Sequence, residues 1–395
     1  MSDSSSIQIK NTYANIIKLA LPIGISILIP QLNLFTNTLF LGYYKPKMAG
    51  LSTQDLLSAS GIAGIYYLTL VMICYGLVSG MLMFMSRSAG ENEKSGIGKT
   101  FNTGLALCLF LAFALILLSN SLAPWLFNQA IHAENIRQAA LSFIRIRYWG
   151  LPFVILYQMS NTLFLATSQS KNIIYGSLAQ TLINIFLDYV LIFGMFSFPE
   201  MGLNGTALAS VISEFVFFAV GFSIIRFGKS YLTYQIQFFK KPDFGFMKQI
   251  LMKSSPLIFQ NFLSIGAWEA FFIFVEHLGK AESALSQILR SVFGIVGIAA
   301  WALASTCNSM VSNIIGQGKL DEVIPLIKKI ISISFLVAFS LGFFIFLFPE
   351  SFLNVLTNDQ ELVQKGVVSL RIVVLATWML SVSTICFNGV IGTGN

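Results

Sequence analysis

One aspartate stands inside an otherwise uncharged apolar run: Asp188, in the stretch KNIIYGSLAQTLINIFLDYVLIFG. Asn184 precedes it by four residues and Gln180 by eight. On a helix that spacing forms one polar stripe. A carboxylate at the centre of a membrane span costs about 2.5–3.5 kcal/mol and survives best by facing a cavity, pairing, or holding a proton. The reading favoured for Asp188 is a transport role; packing between helices is the structural alternative. Asn33 and Asn37 form a similar stripe near the N-terminus, and Thr206 opens a later apolar run. Glu269 and Glu214 are further candidates for lining a cavity, and Glu276 lies near an interface where water would solvate it.

The composition says what must position these groups. The chain has 395 residues, 55% of them hydrophobic and 10% charged, with 37 Phe. Mean hydropathy is +0.76. A soluble domain carries about 25% charged residues. A soluble enzyme, a disordered chain and a disulfide scaffold are excluded, and the bilayer is the expected solvent. Hydrocarbon satisfies no backbone polar group, so the apolar runs must be helices or a closed barrel. They are too long and continuous for barrel strands of about 10 alternating residues. The expected fold is an all-α polytopic membrane protein. Ten spans are predicted, near 16–42, 57–85, 101–120, 139–167, 173–196, 203–227, 255–278, 284–314, 326–348 and 363–391.

With the N-terminus in the cytoplasm, fifteen Lys and Arg residues fall on the inner side and five on the outer. That asymmetry supports this orientation and accounts for the +7 formal charge without nucleic acid. Arg145, Arg147 and Arg371 lie near outer helix ends and are expected to snorkel; Arg290 is read likewise. The cysteines 74, 108, 307 and 386 lie far apart inside apolar runs, as small buried hydrophobes rather than a metal or disulfide set. His132 and His277 fall in outer loops, and no metal site is expected there. No P-loop, Ser–His–Asp set or paired carboxylates appear, so the chain is not read as an enzyme.

Depth connects the polar residues. Asn37, Asp188 and Thr206 lie about five, eight and three residues from the outer ends of their helices, which at 1.5 Å per residue places them in the outer half of the bilayer. A cavity shared by the first, fifth and sixth spans is geometrically possible.

The chain also reads as two halves. LALPIGISILIPQLNLFTNTLFLGYY opens the first, and KSSPLIFQNFLSIGAWEAFFIFVEHLG the second. SRSAGENEKSG follows the second span and VSNIIGQGKLDEV the eighth. An even number of spans per half implies a parallel repeat about an axis along the membrane normal. The expected organisation is an N-terminal lobe at 1–227, a cytoplasmic linker at 228–254 lying along the membrane surface, and a C-terminal lobe at 255–395. Four spans in the second half against six in the first imply that two further helices belong to the fold.

These residues resemble a known family. YWGLPFVILYQMSNTLFLATSQSKNIIYGSLAQTLINIFLDYVLIFGMFSFPEMGLNGTALASVISE is similar to the fourth-to-sixth helix region of the multidrug and toxic compound extrusion (MATE) family, and LPIGISILIPQLNLFTNTLFLG to its first helix. SRSAGENE, VSNIIGQGK and FNGVIGTGN resemble further family stretches. The resemblance implies twelve helices in two six-helix lobes. In the DinF-like branch it further implies an N-lobe proton or sodium site, carried here by Asp188, Asn184, Thr206 and Asn37. Asn37 departs from the pattern, standing where those members have Asp. A carboxamide accepts no proton and carries no charge, though its carbonyl can ligate a cation. Pro22 resembles the first-helix proline at which some members bend.

The function expected is a secondary active antiporter exporting organic, cationic or amphipathic compounds. A proton or sodium gradient would drive it, with no other cofactor. Gln180, Asn33 and Glu269 would line its substrate cavity. Its partners would be small molecules and lipid, it would act as a monomer, and it would sit in the cell inner membrane. A lipid-linked oligosaccharide flippase is the nearest rival; a membrane receptor or membrane-embedded enzyme is the rival of another class.

Overall fold

The computed structural model describes residues 7–45, 52–237, 243–278, 280–356 and 360–394. Among them the chain forms fourteen α-helices: α1 (Tyr13–Leu28), α2 (Gln31–Tyr43), α3 (Thr53–Gly90), α4 (Lys94–Ala130), α5 (Glu134–Arg147), α6 (Leu151–Ala166), α7 (Lys171–Phe193), α8 (Leu203–Phe227), α9 (Ser230–Thr233), α10 (Phe244–Leu278), α11 (Lys280–Gly316), α12 (Val323–Leu347), α13 (Pro349–Leu356) and α14 (Gln360–Thr393). No strand occurs among the described residues. Nine helical stretches there are long and apolar enough to cross a membrane. The seventh predicted span, 255–278, is helical inside α10 but is not one of those nine. The fold is an all-α polytopic membrane architecture.

The first predicted span is two helices. α1 runs unbroken through Pro22, and the interruption falls at Ile29 and Pro30. Gln31 opens α2 after Pro30. The fourth span divides at a 3-10 turn, Tyr148–Gly150, between α5 and α6. Pro152 sits in the first turn of α6, where its missing N–H costs nothing. The linker is more helical than expected: α9 lies within it, and α10 begins eleven residues before the predicted span. Asp243 caps α10, its Oδ1 accepting from Phe246 N at 3.0 Å. That bond and Lys99, 3.0 Å away, hold its carboxyl below the usual range. Residues 238–242 of the linker lie outside the described residues.

The chain divides into two compact units. One comprises Met1–Gly24, Ser86–Glu93 and Leu263–Asn395; the other comprises Ile25–Met85 and Lys94–Phe262. In the second unit, close helix approach depends on glycine. A Cβ on Gly205 of α8 would come within 2.8 Å of the Leu191 carbonyl of α7, so only hydrogen lets the two backbones meet there. Gly202, just before α8, has φ 53°, a conformation that favours glycine. Rings then hold α2 against the end of α7: Phe40 lies 6.2 Å from both Tyr189 and Phe193, and Tyr44 lies 6.2 Å from Phe193.

The same unit contains a buried ion pair. Arg147 donates to both carboxylate oxygens of Glu214 at 2.8 Å. Tyr67 Oη donates to the same carboxylate at 3.2 Å, and the guanidinium lies 3.9 Å from the Tyr67 ring centre. The side chains are 14% and 6% exposed. Arg147 therefore does not snorkel. The 3-10 turn brings Gly150 beside the pair, and a Cβ there would collide with the Glu214 carboxylate. Arg145 and Arg371 are exposed, as expected.

In the first unit the ends of α3 and α11 cross. Ser86 Oγ and Ser309 Oγ are 2.9 Å apart. Gly90 abuts the backbone of Asn313, and Gly316 abuts the backbone of Arg87. Both helices finish in the same motif. Glu93 N donates to Ser88 O at 2.8 Å and Lys319 N to Ile314 O at 3.2 Å, with Asn92 and Gly318 at φ 58° and 76°. These are the stretches SRSAGENE and VSNIIGQGK. Nearby, Trp378 Nε1 donates to Ala338 O at 3.1 Å in the space left by Gly342.

Two stability experiments follow from this packing. Gly205→Val should destabilise the detergent-purified protein by about 1–3 kcal/mol, the usual cost of overpacking, seen as a lowered thermal unfolding midpoint. Arg147→Met should cost about 3–5 kcal/mol by leaving a buried carboxylate unpaired, whereas Arg147→Met with Glu214→Leu should recover most of that loss. Equal midpoints for the single and double variants would mean that the pair is not desolvated.

Candidate ion-coupling site

α7 lies with one polar face inward. Ser177, Thr181, Asn184 and Asp188 are all buried along it, at intervals of four, three and four residues. The opposite face is apolar and exposed, with Leu178, Leu182, Phe186 and Tyr189. Gln180 is half-buried at the margin, so the inward stripe is turned slightly from the predicted one. Thr181 was not anticipated by the sequence reading; its signal is its place three residues before Asn184, on the same helical face.

Asp188 is fully buried. Its contact to α2 is direct: the Asn37 amide, oriented so that its NH2 meets acceptors, donates to Asp188 Oδ2 and to the Asn33 carbonyl at 3.0 Å. The ring contacts of Phe40 and Tyr44 fix this register, since Phe40 stands three residues after Asn37 and Tyr189 one residue after Asp188. Asp188 Oδ1 has no hydrogen-bond partner among the described residues. The same is true of Asn184 Nδ2, Thr181 Oγ1, Thr206 Oγ1 and Asn33 Oδ1. A buried polar atom left unpaired costs about 1–3 kcal/mol, more when charged. Five such atoms lie on three helices of the second unit, and each is open to something that can satisfy it.

The set offers four hard oxygens, from a carboxylate, two hydroxyls and the Asn33 carboxamide, and one N–H donor, the Asn184 amide. It fits a proton on Asp188 or a small alkali cation, and lacks the soft ligands of a transition-metal centre. Among the described residues no three His, Cys, Asp or Glu side chains gather into a metal cluster, and Asp188 forms no ion pair.

The structure thus brings Asn37 onto Asp188 and buries Asn184 and Thr206 in the same unit. Asn33 lies one turn before Asn37, half-buried. Glu269 belongs to α10, and its side chain, like those of Glu276 and His277, lies outside the described ones. Glu214, read as a candidate cavity residue, is instead held by Arg147. The sequence signal for that pair was two opposite charges inside the fourth and sixth spans.

Three comparisons bear on kinship. A family model described as MatE matches residues 22–190 and 256–395. A Thermotoga maritima protein named "Probable multidrug resistance protein NorM" is 25% identical over 393 residues, covering 96% of this chain and 80% of its own. A Bacillus subtilis protein named "Probable multidrug resistance protein YoeA" is 24% identical over 330 residues, 83% of this chain and 70% of its own. The crystal structure titled "Crystal structure of MATE in the straight conformation" superposes with a TM-score of 0.84 at 19% identity, covering all of this chain and 86% of that one. With the family model spanning most of its length, this chain belongs to the MatE family.

Proposed function

We propose that the protein is a multidrug efflux transporter of the NorM type, working as a secondary antiporter. It exports organic, cationic or amphipathic compounds against an inward proton or sodium gradient. The observation that carries the coupling step is the buried Asp188 carboxylate, which has one donor from Asn37, one open oxygen, and no cation bound to it by an ion pair. The names of the relatives support the substrate class. On this reading the chain lies in the cell inner membrane with its N-terminus in the cytoplasm and acts as a monomer. It forms two lobes, 1–227 and 255–395, about the 228–254 linker.

The mechanism follows from charge. A proton or sodium ion arriving at Asp188 neutralises a buried charge, and the open Oδ1 accepts it. The Thr206 hydroxyl and, with its amide turned, the Asn184 carbonyl supply oxygens that can complete a cation shell. Thr181, one turn further along α7, extends the polar face. Loading and unloading that ion changes the electrostatic cost of the site. Coupling requires that the ion and the substrate prefer different conformations of the transporter. A potential of 100 mV supplies about 2.3 kcal/mol per charge moved, enough to bias such an exchange. Asn37 binds the carboxylate through its NH2 and takes no proton itself, so this step rests on Asp188 alone. Pro22 stands within an intact α1, where it removes one backbone bond and so weakens that turn against bending.

The flippase reading needs a basic cavity for pyrophosphate. Arg147, the arginine buried in the second unit, is already bound bidentately by Glu214, which disfavours that alternative.

Two transport measurements test the proposal. In inverted vesicles with imposed gradients, Asp188→Asn should abolish ion-driven efflux of a cationic dye while the protein still purifies as a folded monomer; undiminished efflux would remove Asp188 from the mechanism. Asn37→Asp places a second carboxylate against the first, and should alter the pH or sodium dependence of efflux. An unchanged profile would mean that α2 takes no part in coupling.

A further inference from the structure

The sequence IQIK at residues 7–10 alternates apolar and polar, the period of an extended strand. In the structure it lies outside any helix, with Ile7 and Ile9 buried and Gln8 and Lys10 exposed. Among the described residues no neighbouring strand receives its backbone. Amide side chains do so instead. Asn313 Oδ1 accepts from Ile9 N at 3.0 Å, and Asn313 Nδ2 donates to Ile7 O at 3.3 Å. Gln317 Nε2 donates to Ile9 O at 3.0 Å and to Asn313 Oδ1 at 2.8 Å. Asn313 is fully buried. Both ends of its amide are therefore committed to the segment. Further along, Lys329 Nζ donates to Asn11 O at 2.9 Å, tying the segment to α12.

The segment also reaches the other side of the helix crossing. Gln8 Nε2 donates to the Gly90 carbonyl at 2.8 Å. Gly90 ends α3 and rests on the backbone of Asn313 in α11. Residues 7–9 thus bind both partners of a crossing that is otherwise closed by Gly90, Gly316 and the Ser86–Ser309 pair. α3 comes from the first half of the sequence and α11 from the second. If those halves move against each other, the two helix ends must separate, and the segment cannot keep both sets of bonds.

We infer that residues 7–11 form a latch across the crossed ends of α3 and α11, and that its release accompanies opening of the transporter on the side of its N-terminus. The inference rests on the alternating-access transport proposed above. Asn313 and Gln317 are the seat, and Gln8 is the arm that reaches Gly90. These are positioning residues: none touches Asp188.

The test places a reporter inside the crossing. Ser309→Cys, in a Cys386→Ala background, buries a thiol that a maleimide reaches only when the helix ends part; Cys74, Cys108 and Cys307 are buried. Labelling is read in detergent without any gradient or substrate, so it is independent of efflux. Deleting residues 2–11, or substituting Gln317→Ala or Asn313→Ala, should raise the labelling rate at least several-fold over the full chain. If the deletion fails to fold, the point variants decide. A folded Asn313→Ala or Gln317→Ala protein that labels at the unaltered rate would overturn the latch. Wild-type efflux is measured in parallel. Its absence, together with faster labelling in the variants, would defeat the antiport reading and leave the latch standing.

Discussion

A carboxylate with no ion-pair partner among the described residues, sealed inside a bundle of helices, is the constraint around which the second unit is arranged. Asp188 cannot sit there cheaply as an anion, since taking an unpaired charge out of water is among the most expensive acts in folding. The surroundings answer only in part. Asn37 supplies one hydrogen bond, the second oxygen stays open, and hydroxyl and amide atoms on α7, α8 and α2 are left open as well. A core selected for stability alone would close such valences or replace the acid with an apolar side chain. Functional sites are where such local rules are broken.

Holding that arrangement requires backbones closer than ordinary side chains permit. Lipid offers no hydrophobic drive for helix association, so close packing must supply it. Gly205 gives α8 its approach to α7, and so brings Thr206 into the unit's interior. Phe40, Tyr44, Tyr189 and Phe193 fill the space above the site and set the register of α2. At the crossing of α3 and α11, Gly90 and Gly316 play the corresponding part from opposite sides.

Much of this was legible beforehand, for physical reasons. The length of the uncharged runs dictates spanning helices, and a mid-run acid four residues after an Asn dictates a polar face. The pairing of Asn37 with Asp188 was legible only as equal depth plus family likeness, because a helix sequence shows which residues share a face and never which faces meet. Arg147 and Glu214 were misread for that reason. Each alone looks like a terminal or cavity charge, and their mutual neutralisation exists only in three dimensions. The break at Ile29–Pro30 was not read from the sequence, where Pro22 and Pro30 stand eight residues apart. Both are prolines in one apolar run, and periodicity does not tell which of them a helix will tolerate. The latch was hidden because four residues of alternating pattern are too short to read as a strand, and its partners are side chains more than 300 positions away.

The contrast between the two buried acids of the second unit carries the argument for where an ion could act. Glu214 is met by two guanidinium bonds and a tyrosine hydroxyl, so both of its oxygens already have donors. Asp188 has a single donor and, among the described residues, no ion-pair partner, so on the proposed mechanism an arriving proton or sodium ion would meet an unsatisfied oxygen. A group whose charge can change at low cost can report a gradient; a group locked in an ion pair cannot. With a carboxamide at position 37 that position brings no second acid to share the load, and on the proposed mechanism the exchangeable charge at this site is a single one, which ties the coupling to the state of one side chain on α7.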